Sequence, residues 1–306
     1  RSQLNTIIDN DFSDPQIALT CTSGITDMSY TFYDARSDYT YFNQQLKYWD
    51  VSNVTNMESM FHKAKGFNQP LDDWDVSSVT NMESMFELAE SFNKPLNNWD
   101  VSSVTSMRTM FSKTSSFNQD IGSWETSNVI DVNRMFYKAS AFNQPLNNWD
   151  VSSVTDMRGM FITAVFNQPL NNWDVSSVIS MDSMFFRASS FNQDISAWDV
   201  SSVINMDSMF FEASSFNQDI SAWDTSNVTS MYMMFKGATS FNQDISSWCV
   251  EKIPSIPVEF SVDSPLRSQY SYRPNWGAEC STLSIADNSL ANFKVYPNPA
   301  ENKLNV

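Results

Sequence analysis

Tryptophan recurs at positions 49, 74, 99, 124, 149, 173, 198, 223 and 248, a spacing of 25 residues broken by a single spacing of 24. A fixed period of that length is the mark of stacked coils, because one such unit cannot bury its own apolar face and must pack on its neighbours. The chain therefore reads as about nine coils and not as two ordinary globular domains. The short coil lacks a residue before Phe166, where Ala164-Val165-Phe166-Asn167 replaces Ala139-Ser140-Ala141-Phe142-Asn143. That point should be an exposed turn that tolerates a change of length.

In one coil the apolar positions are Leu71, Trp74, Val76, Val79, Met82, Met85, Phe86, Ala89 and Phe92. The first three have the LxxLxL spacing in which a short strand turns alternate residues inward, so Trp74 to Val76 is expected to be a strand paired in parallel with its copies. The steps of three and four from Met82 to Ala89 predict one or two turns of helix on the opposite side. Ser77-Ser78 and the Phe-Asn-Gln segment, followed by proline at 70, 95, 145 and 169, supply the turns. The expected fold class is an α/β repeat solenoid, leucine-rich-repeat-like, with a short parallel strand and a short helix in each 25-residue coil. Residues 1–48 read as an N-terminal cap with a degenerate first repeat at Ile25-Thr26-Asp27-Met28, 49–248 as the solenoid, and 249–280 as a C-terminal cap. Residues 281–291, rich in Ser, Asn and Ala, read as a linker to the tail at 292–306.

Residues that recur at one position form columns along the stack. Asn68, Asn93, Asn118, Asn143, Asn167, Asn192, Asn217 and Asn242 are read as a structural ladder, since a small amide can satisfy turn backbone and its own copy. The tryptophans and methionines read as core, not as sugar platforms or cofactor ligands. Asp50, Asp75, Asp100, Asp150, Asp174, Asp199 and Asp224 each follow the Trp, with Glu125 standing in once. On a strand these carboxylates point outward, which makes them a candidate binding face. Stacked like charges need water and salt, hydrogen bonds from the following turn, or bound cations. The Asp-Val-Ser-Ser sequence favours the turn hydrogen bond. Calcium at the ladder is the alternative, and with it a calcium-stabilised structural spacer; no other metal or cofactor is expected. A ligand could instead read positions that differ from coil to coil, such as His62-Lys63, Glu87-Leu88, Ser112-Lys113 and Phe211-Glu212, and the sequence does not choose between the two faces.

The net charge of −17, from 35 acidic and 18 basic residues, argues against nucleic acid or anionic lipid as a partner. No run of apolar residues is long enough for a membrane-spanning helix, so membrane insertion is not expected. The start Arg1-Ser2-Gln3-Leu4-Asn5 suggests that a leader peptide has been removed. Of three cysteines, Cys249 and Cys280 lie at the end of the repeats and are expected to form a disulfide in an oxidising compartment. The one histidine, His62, has no catalytic setting, and there is no GxSxG, HExxH, P-loop or dinucleotide fingerprint. Carboxylates recur in every coil, whereas an active site breaks repeat symmetry; an enzyme is not expected.

The units Trp-Asp-Val-Ser-Ser-Val-Thr-Asn-Met-Glu-Ser-Met-Phe and Ser-Phe-Asn-Gln-Asp-Ile-Ser resemble the Met-Phe and Phe-Asn-Gln branch of the BspA-like family of bacterial surface proteins. The resemblance implies a secreted or cell-surface protein that binds an extracellular protein or glycan in adhesion. The tail, with Val295, Tyr296, Pro297, Asn298 and Pro299, is similar to the start of a type A C-terminal sorting domain of the Bacteroidetes type IX secretion system. That likeness implies export through the type IX translocon and its shuttle, and a location outside the cell or on the outer-membrane surface.

Overall fold

The computed structural model of the chain describes residues 15–33 and 42–280. Successive coils are joined by backbone hydrogen bonds. Met57, Ser59, Phe61 and Lys63 donate their N–H groups to the carbonyls of Asn81, Glu83, Met85 and Glu87 at 2.7–2.9 Å. One coil on, Met82, Ser84, Phe86 and Leu88 donate to Ser106, Arg108, Met110 and Ser112. The segment 81–90 and its equivalents thus form a ribbon in which alternate amides bind the next coil.

The coil is not built as expected. Among the described residues, helix is confined to α1, Gln16–Leu19, and two single 3-10 turns at Pro265–Arg267 and Tyr270–Tyr272. Parallel β pairing is reduced to isolated bridges, such as Asn56 to Asn81, Asn81 to Ser106 and Ser106 to Asp131. The α/β, leucine-rich-repeat-like coil of one strand and one helix is therefore overturned. The apolar steps of three have a different cause: they are the ends of tight turns. Trp74 N–H bonds to Leu71 carbonyl, Val79 to Val76, Met85 to Met82, Ala89 to Phe86 and Phe92 to Ala89, at 2.9–3.2 Å. Each turn sends its first and fourth residues into the core and its middle residues outward.

A helix is excluded in the ribbon by its backbone. Ser84 and Leu88 have φ of +55° and +62°, and the same pair of positions is left-handed in the other coils, as at Arg134 and Lys138. An L-residue there is strained by about 1–2 kcal/mol. The strain persists because those residues' amides bind the next coil and four inward side chains per ribbon are buried.

The interior is a set of stacked columns. Phe61, Phe86 and Phe111 lie face to face at 5.4 and 5.7 Å, within 3° of parallel. A second column, Phe67, Phe92 and Phe117, touches the first, with Phe86 and Phe92 at 4.2 Å. Offset stacking of this kind adds to the gain from burial. At the short coil one residue fewer separates Ala164 from Phe166, which leaves no room for the turn that joins Phe142 to Ala139, and Val165 is exposed there.

At the start of the stack Met28, Tyr30 and Phe32 donate to Asn56, Glu58 and Met60, so the degenerate first unit is a true rung. At the end Met233, Phe235 and Gly237 donate to Val258, Phe260 and Val262, which adds a rung that the prolines of that region hide in the sequence. Trp276 packs edge-on against Phe260 at 4.9 Å, and a disulfide joins Cys249 to Cys280. Among the described residues no helix is long and apolar enough to cross a membrane.

Candidate binding face

The residues that recur unchanged are taken up by the fold. Each Trp indole N–H donates to a carbonyl of the previous coil: Trp99 to Leu71 at 2.9 Å, Trp124 to Leu96 at 2.9 Å and Trp149 to Ile121 at 2.9 Å. Asn68 Oδ1 accepts from Asn93 N–H, Asn93 from Asn118, Asn118 from Asn143 and Asn143 from Asn167, at 2.8–3.0 Å. The column continues through Asn192 and Asn217 to Asn242. Gln119 and Gln144 donate their side-chain amides to the same oxygens.

The aspartate column closes its own turns. Oδ1 of Asp50, Asp75, Asp100, Asp150, Asp174, Asp199 and Asp224 accepts the N–H of the serine two residues on, at 3.0–3.1 Å. At Asp50, Asp75, Asp150 and Asp174 the serine hydroxyl donates as well, at 2.6 Å. Hydrogen bonds from the serines hold Asp50, Asp100, Asp150 and Asp199 below the usual carboxylate range. A second column of the same kind, Asp194, Asp219 and Asp244 with Ser196, Ser221 and Ser246, is not singled out by the sequence reading, although its Asp-x-Ser spacing is the signal. Among the described residues no group of three or more His, Cys, Asp or Glu side chains could hold a metal ion.

The outward positions of the ribbon behave differently. One column runs Glu58, Glu83, Arg108, Asn133, Arg158, Asp182, Asp207 and Tyr232; another runs His62, Glu87, Ser112, Tyr137, Ile162, Phe186, Phe211 and Lys236. Their contacts differ from one pair of coils to the next. His62 stacks on Tyr33 at 4.7 Å and its Nδ1 lies 3.4 Å from Glu87; Phe186 stacks on Phe211 at 4.5 Å; Arg187 binds Glu212 at 2.8 Å. Half-burial pushes the carboxyls of Asp131, Asp182 and Glu83 up, against hydrogen bonds from Asn133 to Asp131 and Ser183 to Asp182 and the pull of nearby arginines. A cavity of about 150 Å³ opens beside Gly159, lined by arginines from three successive coils.

Three overlapping stretches, 5–112, 69–169 and 162–271, match a single family model. The chain belongs to the family described as Mycoplasma protein of unknown function, DUF285. The overlap follows from the period, since a model several coils long fits the DUF285 array in more than one place. No curated protein matches the chain. The tail bearing Val295, Tyr296, Pro297, Asn298 and Pro299 lies outside both the DUF285 matches and the described residues.

Proposed function

We propose that this DUF285 protein is a binding protein of the cell exterior and that it presents the ribbon face of its coils to an extracellular protein or glycan. One observation carries the reading. The Asn, Trp and Asp columns engage their polar atoms in neighbouring coils or in their own turns, whereas the ribbon columns change identity from coil to coil on an unchanged backbone. A scaffold that does not need particular residues at those positions leaves them free to match a ligand. The Cys249–Cys280 disulfide fits an oxidising compartment. The resemblance to BspA-like surface proteins supports adhesion, and the tail at 295–299 supports export as type IX cargo.

The test is a pull-down of envelope proteins and polysaccharides with the full chain and two variants. One replaces Glu87, Tyr137, Arg187 and Glu212 on the ribbon by Ala; the other replaces Asp75, Asp100 and Asp150 by Asn. A partner lost with the ribbon variant and kept with the aspartate variant is the expected result. The reverse pattern, or no partner with the unchanged chain, overturns the proposal.

A further inference from the structure

We infer that the ribbon between Arg108 and Thr163 is a site for an acidic polysaccharide whose sugar rings carry carboxylates. The inference rests on the reading of the ribbon as the binding face and names the ligand class for one part of it.

The chain has nearly twice as many acidic as basic residues, yet this stretch gathers Arg108, Lys113, Arg134, Lys138 and Arg158 on the ribbons of three successive coils. Three of these cations surround one aromatic ring. Lys113 Nζ, the Arg134 guanidinium and Lys138 Nζ lie 5.6, 5.9 and 5.2 Å from the centre of Tyr137. Among the described residues, none of the three is in an ion pair, while other cations of the ribbon are, such as Lys65 with Glu90 and Arg187 with Glu212. Three cations without ion-pair partners, held within reach of one another, form a local positive patch that can attract an anion.

The repeat is also broken here in shape. The left-handed position that is Ser59, Ser84, Thr109, Arg134, Ser183, Ser208 and Met233 in other coils is Gly159, with φ of +62°. A Cβ at Gly159 would come within 2.8 Å of Ile162 Cδ1 and 3.0 Å of Arg134 Cγ, so the glycine is what lets the stem of Arg134 lie against the backbone. The cavity beside it, about 150 Å³, is lined by Arg108, Arg134 and Arg158 together with Asn133, Asp182 and Ser183. At about 30 Å³ per water, a space of that size takes roughly five waters or one polar ring substituent.

The mixture of charges selects the ligand. Arg158 is already chelated by Asp156 at 2.5 Å, and Arg108 sits between Glu83 at 3.6 Å and Asp131 at 3.9 Å. Arg134 remains as a planar fork suited to a carboxylate. Asp182, Ser183 and Asn133 keep lone pairs for ring hydroxyls, with Ser183 donating to Asp182 at 2.7 Å and Asn133 to Asp156 at 3.2 Å. A polyuronate brings both a carboxylate and hydroxyls on each ring, with a flat ring face for Tyr137. Duplex DNA brings anions without sugar hydroxyl donors, so it would meet the carboxylates of Asp131, Asp156 and Asp182 with no hydrogen bond to offer them.

Affinity electrophoresis of the full chain through gels containing polygalacturonate, dextran or duplex DNA tests the inference. Retardation by polygalacturonate, relieved by salt and absent with dextran, is expected. The K113Q/R134Q/K138Q variant should bind roughly tenfold more weakly. Gly159→Ser, whose Cβ would displace the stem of Arg134, should weaken binding while lowering the melting temperature only slightly, since Ser at this left-handed position is carried by other coils. Equal mobility in polygalacturonate and dextran, stronger retardation by DNA, or a triple variant retarded like the unchanged chain overturns the inference. If a partner is nonetheless captured through other coils of the ribbon, the binding-face reading stands and only the ligand class falls.

Discussion

Two sets of carboxylates in this chain respond to acid in opposite senses. Asp50, Asp100, Asp150 and Asp199 have lowered values because serine groups in their own turns donate to the ionised form. The stability they contribute is fully present above the ordinary value of 3.8 and is lost as pH falls through the lower folded value. Asp182 has a raised value, caused first by burial and helped by repulsion from Asp207, against the hydrogen bond from Ser183 and the pull of Arg158 and Arg134. The folded chain therefore holds that proton more readily, and stability declines as pH rises from 3.8 through the raised value. Asp182→Asn should accordingly raise the melting temperature at pH 7 and give no gain below pH 3.8; an equal gain at both would show that charge is not the cause. The aspartate column was plain in the sequence, and so was its pairing with serine. The raised group was not, because it depends on burial between coils that no spacing reveals.

At the scale of the element, the unit is a tight turn and not a strand or a helix. Three-residue apolar steps are common to helices and to turns joined end to end, so periodicity alone did not separate Met82-Met85-Phe86-Ala89 from an amphipathic helix. What separates them is the sign of φ at every fourth residue, which the sequence signals weakly because only Gly159 and Gly237 of those positions are glycines. Thr163 is exposed, β-branched and left-handed, with φ of +55°, while its amide binds the Phe186 carbonyl at 2.8 Å. Glycine at this site keeps the hydrogen bond and removes the strain, offset in part by greater freedom of the unfolded chain. Thr163→Gly should stabilise the protein by about 1 kcal/mol in denaturant unfolding. A loss of stability would mean that the Thr side chain makes a contact that outweighs its backbone strain.

For the whole molecule, contacts run from each coil to the next, and both ends of the described stack are closed by local structure. Ile17 of α1 accepts the Trp49 indole N–H at 2.9 Å, and Trp276 and the Cys249–Cys280 disulfide close the other end. A chain ended at Cys280 retains that clamp and the last rung, so it should melt as the full protein does. If the tail at 295–299 is an export address, the same truncation should be retained in the periplasm; its display on the cell surface would remove the case for type IX sorting.

The amino-acid sequence by itself determined the period, the membership of the core and the residues that form columns, because a repeated side chain must meet its own copy once coils stack. It also marked the variable ribbon positions without choosing them over the aspartates. The choice of turns over strands and helices was decided by tertiary structure, since the ribbon amides that would close a helix bind the neighbouring coil. So was the grouping of Arg134 and Gly159 with residues 24 to 26 positions away, and of Tyr137 with Lys113, which comes about only when three coils lie side by side.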